Sequence, residues 1–238
     1  MDLVDWSEAR LLEIEAEFRV LADHLGIETV TVIPVAAVSG ENIVDRAHNM
    51  SWYHGPTLLE FLESVEVADP ARHAALRFPV QYVLRPQSDE FHDYRGYAGT
   101  IAAGEATPGM EVTVLPLGVN TTLLAVDAFE TELPCAGSGE AVTLRLADDI
   151  DISRGHMIVD AAHPPAIASR ITADLCWMSD TSQLKRRQQF FLKHTTRRVR
   201  CRVESIDDRL EVESFDRIEG PESLALNDIG RVTLRMLR

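Results

Sequence analysis

The chain has 238 residues, 45% of them hydrophobic and 26% charged, which supplies apolar material for real cores and excludes a disordered chain. Its formal net charge of −15 repels phosphate backbones and anionic lipid on average, against a general nucleic-acid or membrane-surface binder. No stretch approaches the roughly 20 apolar residues that span a bilayer, and the acidic N-terminus does not read as a secretory leader.

The predicted elements begin with Asp5-Trp6-Ser7-Glu8, which reads as a capping box. Leu11, Ile14, Phe18, Leu21 and Leu25 follow at 3-4-3-4 spacing, one face of a helix that Gly26 stops. Thr29 to Val35 is β-branched and apolar, as a strand buried on both faces of a parallel sheet would be. A loop is expected over Ala36 to Asn42, and Pro56-Thr57-Leu58-Leu59-Glu60 opens a second short helix. A buried parallel strand needs neighbours for its hydrogen bonds, and residues 1–66 supply none. They therefore read as an incomplete α/β unit.

Val67 to Ala75 is a candidate linker. Beyond it Phe78, Val80, Tyr82 and Leu84 alternate with Pro79, Gln81 and Val83, and strand-like runs recur at Tyr94–Ala103, Met110–Leu115, Val119–Ala128 and Ala141–Leu146. Glycine-bearing turns separate them, which predicts a small closed barrel over 76–162. His163-Pro164-Pro165 breaks the chain again, and Ile171–Met178, Gln188–His194, Arg197–Ile206 and Ile229–Leu237 predict a second barrel over 163–238. The fold class is mainly β: two small antiparallel β-barrels behind an incomplete α/β piece.

Charge is unevenly distributed. Residues 163–238 hold 14 bases and 11 acids, net +3, which leaves net −18 for residues 1–162. Lys185, Arg186, Arg187, Lys193, Arg197, Arg198, Arg200 and Arg202 lie within 18 residues with no acid among them. Arg198, Arg200 and Arg202 share one strand face, and Val199, Cys201 and Val203 the other. Two readings stay open: a surface for an acidic partner or phosphate, or arginines that face water.

Other chemistry is excluded or bland. Eight histidines occur without a ligand-type spacing, so no metal is expected. Cys135, Cys176 and Cys201 form no CxxC pair and read as reduced thiols of a cytoplasmic protein, buried as small hydrophobes. Asp148, Asp149 and Asp151 read as a turn rather than a calcium loop. Trp52, Tyr53, Trp177 and Phe129 read as core or interdomain packing. No catalytic residue is assigned.

The runs 51–60 (SWYHGPTLLE), 77–86 (RFPVQYVLRP), 94–104 (YRGYAGTIAAG), 149–155 (DIDISRG), 173–178 (ADLCWM), 191–197 (FLKHTTR) and 226–232 (LNDIGRV) together resemble the GTPase large subunit of bacterial sulfate adenylyltransferase. The resemblance covers essentially the whole chain. That family is similar to elongation factor Tu: a GTPase domain followed by two barrels, its domains 2 and 3. Residues 1–66 would then be the last part of a GTPase domain.

The resemblance implies a small catalytic subunit as partner, which joins ATP and sulfate into adenosine 5'-phosphosulfate while GTP hydrolysis on the large subunit drives the reaction. Some relatives carry an adenylylsulfate kinase after the second barrel; none is read in this chain. GTP is the implied cofactor of the full-length family member. The phosphate loop G-x-x-x-x-G-K-[ST] is missing, since neither Lys185 nor Lys193 follows a glycine. Without it and the magnesium-holding acid, phosphoryl transfer loses its charge stabilisation, so neither bound GTP nor GTP turnover is expected of this chain alone. The resemblance leaves vestigial guanine contacts at Asp2, whose carboxylate could accept from guanine, and at Ala36, Ala37 and Val38, where serine usually stands at position 36. The arginines Arg186, Arg187, Arg197, Arg198, Arg200 and Arg202 become a surface for the small subunit. An RNA-binding module of translation-factor type is the alternative.

Overall fold

The computed structural model describes residues 1–66, 71–85, 94–129, 131–212 and 214–237. The expected linker is therefore seen only from residue 71, and its residues 67–70, like Pro86 of the run 77–86, lie outside the described residues. The chain divides into two compact units, Met1–Ala68 and Asp69–Arg238.

In the first unit a 3-10 turn, Asp2–Val4, leads to helix α1, Glu8–Leu25. Its cap is Ser7 rather than Asp5: Ser7 Oγ accepts the Arg10 N–H at 3.3 Å. Asp5 sits at φ 50 and closes the 3-10 turn, so it lacks the extended backbone an N-cap needs. Gly26, at φ 70, ends the helix as expected. On the predicted apolar face Leu11 and Leu21 are half-buried, whereas Ile14, Phe18 and Leu25 stay exposed. The expected strand Thr29–Val35 does not form; residues 27–35 join no ladder. A strand exists through its neighbour's hydrogen bonds, and no described segment offers them here. Helix α2, Leu58–Ser64, carries a full capping box in which Thr57 Oγ1 accepts the Glu60 N–H and Glu60 Oε2 accepts the Thr57 N–H.

The second unit is all β. Its first half holds β1 (Arg77–Leu84), β2 (Gly96–Thr100), β3 (Glu105–Ala106), β4 (Glu111–Leu115), β5 (Val119–Ala128), β6 (Thr131–Leu133), β7 (Ala136–Gly137), β8 (Ala141–Leu146) and β9 (Met157–Asp160). The order β4-β9-β1-β2-β8-β5, with β4 pairing back to β5, closes a ring of antiparallel strands, which removes exposed edges. Phe78, Val80, Tyr97, Val112, Val114, Leu123, Leu144 and Ile158 fill it. Tyr97 Oη, buried with them, donates to the Ile150 carbonyl at 3.0 Å. Gly99 is required by space: a Cβ there would lie 2.6 Å from the Pro79 carbonyl oxygen and 2.9 Å from the Phe78 ring.

Two expectations fail locally. A bulge between Val80 and Tyr82 shifts the register of β1, so Tyr82 turns outward at 65% exposure and Val83 meets the core instead. Phe129 is fully exposed at a hairpin tip, at φ 54, rather than packed.

The second half holds β10 (Arg170–Cys176), β11 (Leu184–Lys185), β12 (Gln189–His194), β13 (Arg197–Leu210), β14 (Arg217–Glu219), β15 (Ser223–Leu224) and β16 (Ile229–Met236). The main sheet runs β10-β16-β13-β12, with β14 on β13 and a separate β11–β15 ribbon. Leu184 and Leu224 of that ribbon join Cys201, Val203, Ile206, Val232 and Leu234 in one core. Trp177 packs edge-on against Phe190 beside it. Of the cysteines only Cys201 is buried; Cys135 and Cys176 are exposed, because both occupy positions whose side chains leave the core.

Candidate functional site

The residues assigned to the guanine contacts lie at the two ends of one tie. The Met1 ammonium donates to the Val35 carbonyl at 2.8 Å, which fixes the start of the chain beside the start of the 36–38 loop. Ala36 is buried; its N–H donates to the Glu41 carbonyl at 3.1 Å and its own carbonyl accepts the Gly40 N–H at 2.9 Å. Asn42 Nδ2 donates to the Pro34 carbonyl at 2.8 Å from a buried position at φ 59. Asn42 was not singled out in the sequence, although asparagine in a loop tolerates left-handed backbone. Ala37 and Val38 project from this frame, Val38 95% exposed. Among the described residues their amide groups find no backbone acceptor. Asp2 is exposed, its carboxylate 3.5 Å from the Met1 ammonium.

The arginines fall into three places. Arg186 and Arg187 are the central residues of a tight turn from Lys185 to Gln188, in which Gln188 Oε1 accepts the Lys185 N–H at 2.8 Å. Arg187 stands at φ 69, where glycine or asparagine is usual and another residue costs about 1–2 kcal/mol. Arg202 reaches the same place from β13, and the three guanidinium side chains line a cleft of about 530 Å3 with Val203 and Glu204. Arg198 and Arg200 lie on the outward face of β13 next to it, with the Arg198 guanidinium 3.9 Å from the centre of the exposed Phe191 ring. Arg197 is elsewhere. It packs against Gly155 of the first barrel, 3.4 Å from where a Cβ would stand. Burial, then Arg197, push the neighbouring His156 below the ordinary histidine range.

Strand register adds what the sequence hid. Arg202 lies opposite Arg235, and Arg235 opposite Arg170, so three arginines form a row across β13, β16 and β10. Lys193 lies opposite Arg198. Like charges directly opposite destabilise a sheet. The acid in this row's neighbourhood, Glu204, is held by Arg170 at 2.8 Å. No carboxylate lies within 4 Å of Arg186, Arg187, Arg198, Arg200, Arg202 or Arg235 among the described residues.

Glu105 beside Cys135, then burial, raise that thiol, and burial raises Cys201. Among the described residues no group of three acidic, histidine or cysteine side chains could hold a metal, and no helix is long and apolar enough to cross a membrane.

Residues 170–238 match the family model described as GTP-eEF1A C-terminal domain-like. The Mycobacterium tuberculosis protein named bifunctional enzyme CysN/CysC is 43% identical over 99% of this chain and 38% of its own length. Sulfate adenylyltransferase subunit 1 of Yersinia enterocolitica is 40% identical over 98% of this chain and 48% of its own. The chain thus spans less than half the length of these relatives. Two solved structures share the fold: sup35 complexed with GMPPNP, TM-score 0.62 at 20% identity over 99% of this chain and 58% of that one, and translation elongation factor SelB of Methanococcus maripaludis, TM-score 0.56 at 17% over 75% and 39%. Near-complete coverage of this chain at this identity settles the kinship: the chain belongs to the sulfate adenylyltransferase subunit 1 family, and it shares its fold with a translation elongation factor.

Proposed function

We propose that this chain is a docking and coupling segment of the GTP-dependent subunit of a cytoplasmic sulfate-activating enzyme. In that reading the whole subunit hydrolyses GTP, a smaller partner subunit forms adenosine 5'-phosphosulfate from ATP and sulfate, and the two barrels, taken as 76–162 and 163–238, carry the state of one to the other. Residues 1–66 act as the closing piece of a GTPase domain, with Asp2 and the Ala36-Ala37-Val38 loop as base contacts. The chain itself performs no chemistry and turns over no GTP.

The observation that carries this reading is the arginine face. Arg186, Arg187, Arg198, Arg200 and Arg202 form an unneutralised surface on a chain of net charge −15. Such a face selects and steers an acidic partner. Arg197, packed on Gly155 and beside His156, supplies a path between the barrels. The experiment is sedimentation of the chain with the small subunit of the same organism. Co-migration that weakens as salt rises supports docking through this face; a folded chain that never co-migrates at low salt refutes it.

A further inference from the structure

We propose that the cleft between the Lys185–Gln188 turn and β13 is a binding site for a tetrahedral dianion, a phosphate or sulfate group. This goes beyond the docking role and stands without it. Three features meet there. The cleft is lined by Arg186, Arg187 and Arg202, together with Val203 and Glu204. The Glu204 carboxylate is turned to Arg170 at 2.8 Å, so it does not neutralise the cleft. Arg186 is also positioned: its Nε donates to the Glu204 carbonyl at 3.2 Å, which leaves both terminal NH2 groups of a fixed fork to face a ligand.

The turn chemistry points the same way. Position 187 has φ 69, and a glycine would fit it without strain. The sequence instead places there a third guanidinium, next to Arg186 in the chain and lining the same cleft as Arg202. Arg202 in turn faces Arg235 across the strands, a repulsive pairing that a bound anion relieves.

The charge count selects the ligand class. A single carboxylate would leave two of the three positive charges unmatched. A tetrahedral dianion neutralises two, and its four oxygens can take two-point hydrogen bonds from several guanidinium groups at once. The cleft, about 530 Å3, is much larger than the ion, given a water's share of about 30 Å3 in the liquid. It therefore has room for either a free ion with its water or the phosphate of a larger ester.

The test is calorimetric titration of the full 238-residue chain with inorganic phosphate, inorganic sulfate, acetate and AMP at low ionic strength. Three variants accompany it. Arg187→Gly removes a guanidinium while easing the backbone, so loss of fold does not confound it. Arg202→Gln removes another, and Arg19→Gln on the exposed face of α1 makes the same change in net charge far from the cleft in sequence. The expected result is one saturable site for phosphate and sulfate, at least tenfold weaker in Arg187→Gly and Arg202→Gln, and within twofold of wild type in Arg19→Gln. Acetate should bind at least tenfold more weakly than phosphate. AMP at least tenfold weaker than phosphate assigns the site to free ions, AMP binding equal to phosphate assigns it to the phosphate group whether free or esterified, and AMP at least tenfold tighter assigns it to a nucleotide's phosphate; each supports the proposal. No saturable binding, equal weakening in all three variants, or binding only of a long RNA added as a competitor overturns it.

Discussion

Reversing one charge in the arginine row should make the fold more stable while weakening its contact with an acidic partner. Arg235 lies on the outer face of β16, opposite Arg202 on β13 and Arg170 on β10. Arg170 already pairs with Glu204, so Arg202 is the neighbour left unneutralised. Cross-strand charge pairs are worth roughly 0.2–1 kcal/mol, and Arg235→Glu changes one repulsion into one attraction. Both side chains are exposed, where screening keeps such terms small. The reversal counts that range twice, roughly 0.4–2 kcal/mol, and the lower part of it, about 0.5–1 kcal/mol of added stability, is therefore expected, or about 1–4 °C in Tm for a unit of this size. Calorimetric melting at 20 mM and 500 mM salt measures it, and the gain should shrink at the higher salt. A Tm that falls, or a gain indifferent to salt, would refute the claim that this row is held under mutual repulsion.

Two further outcomes follow from the packing and the ion pairs. Gly99→Ala pushes a methyl group against the Pro79 carbonyl and the Phe78 ring, and overpacking of this kind costs about 1–3 kcal/mol; urea unfolding should show a lower midpoint with an unchanged slope. Arg231 holds the Asp174 carboxyl below the usual carboxylate range, with Arg217 contributing as well. A depressed folded pKa gives stability that is present above the unfolded value and is lost as pH falls through the folded one. Asp174→Asn should therefore melt below wild type at pH 7, and the difference should vanish once the medium is acid enough to protonate Asp174. A difference that persists unchanged at pH 2.5 would contradict the assignment.

The sequence made the long strands readable because period-2 alternation survives wherever one face is buried. β5 and β8 begin and end where the alternation does, and Val199, Cys201 and Val203 mark the inner face of β13. What the sequence hid falls into two kinds. Short pieces such as β9, where Ile158 and Val159 are fully buried, are too brief for a period to show. Pairings across the sheet depend on register, so Arg170 and Arg235 joined the arginine face only once strands were aligned. The Thr29–Val35 segment failed for a different reason: its composition reports burial in a sheet, and the neighbours that would make it a strand are not among the described residues. The loop after Val35 was legible as a loop, but the Met1–Val35 bond that holds its start beside the first residues of the chain spans 34 residues and leaves no local signature.

In the proposed role this chain docks an acidic partner subunit through its arginine face and holds no triphosphate by itself. Sedimentation of the purified chain with the small subunit, at low and high salt and with labelled GTP present, tests it most directly. The expected result is a complex at 50 mM salt that dissolves by 500 mM and sediments without the label. A chain that stays folded yet alone, or that carries GTP down with it in the partner's absence, would contradict it.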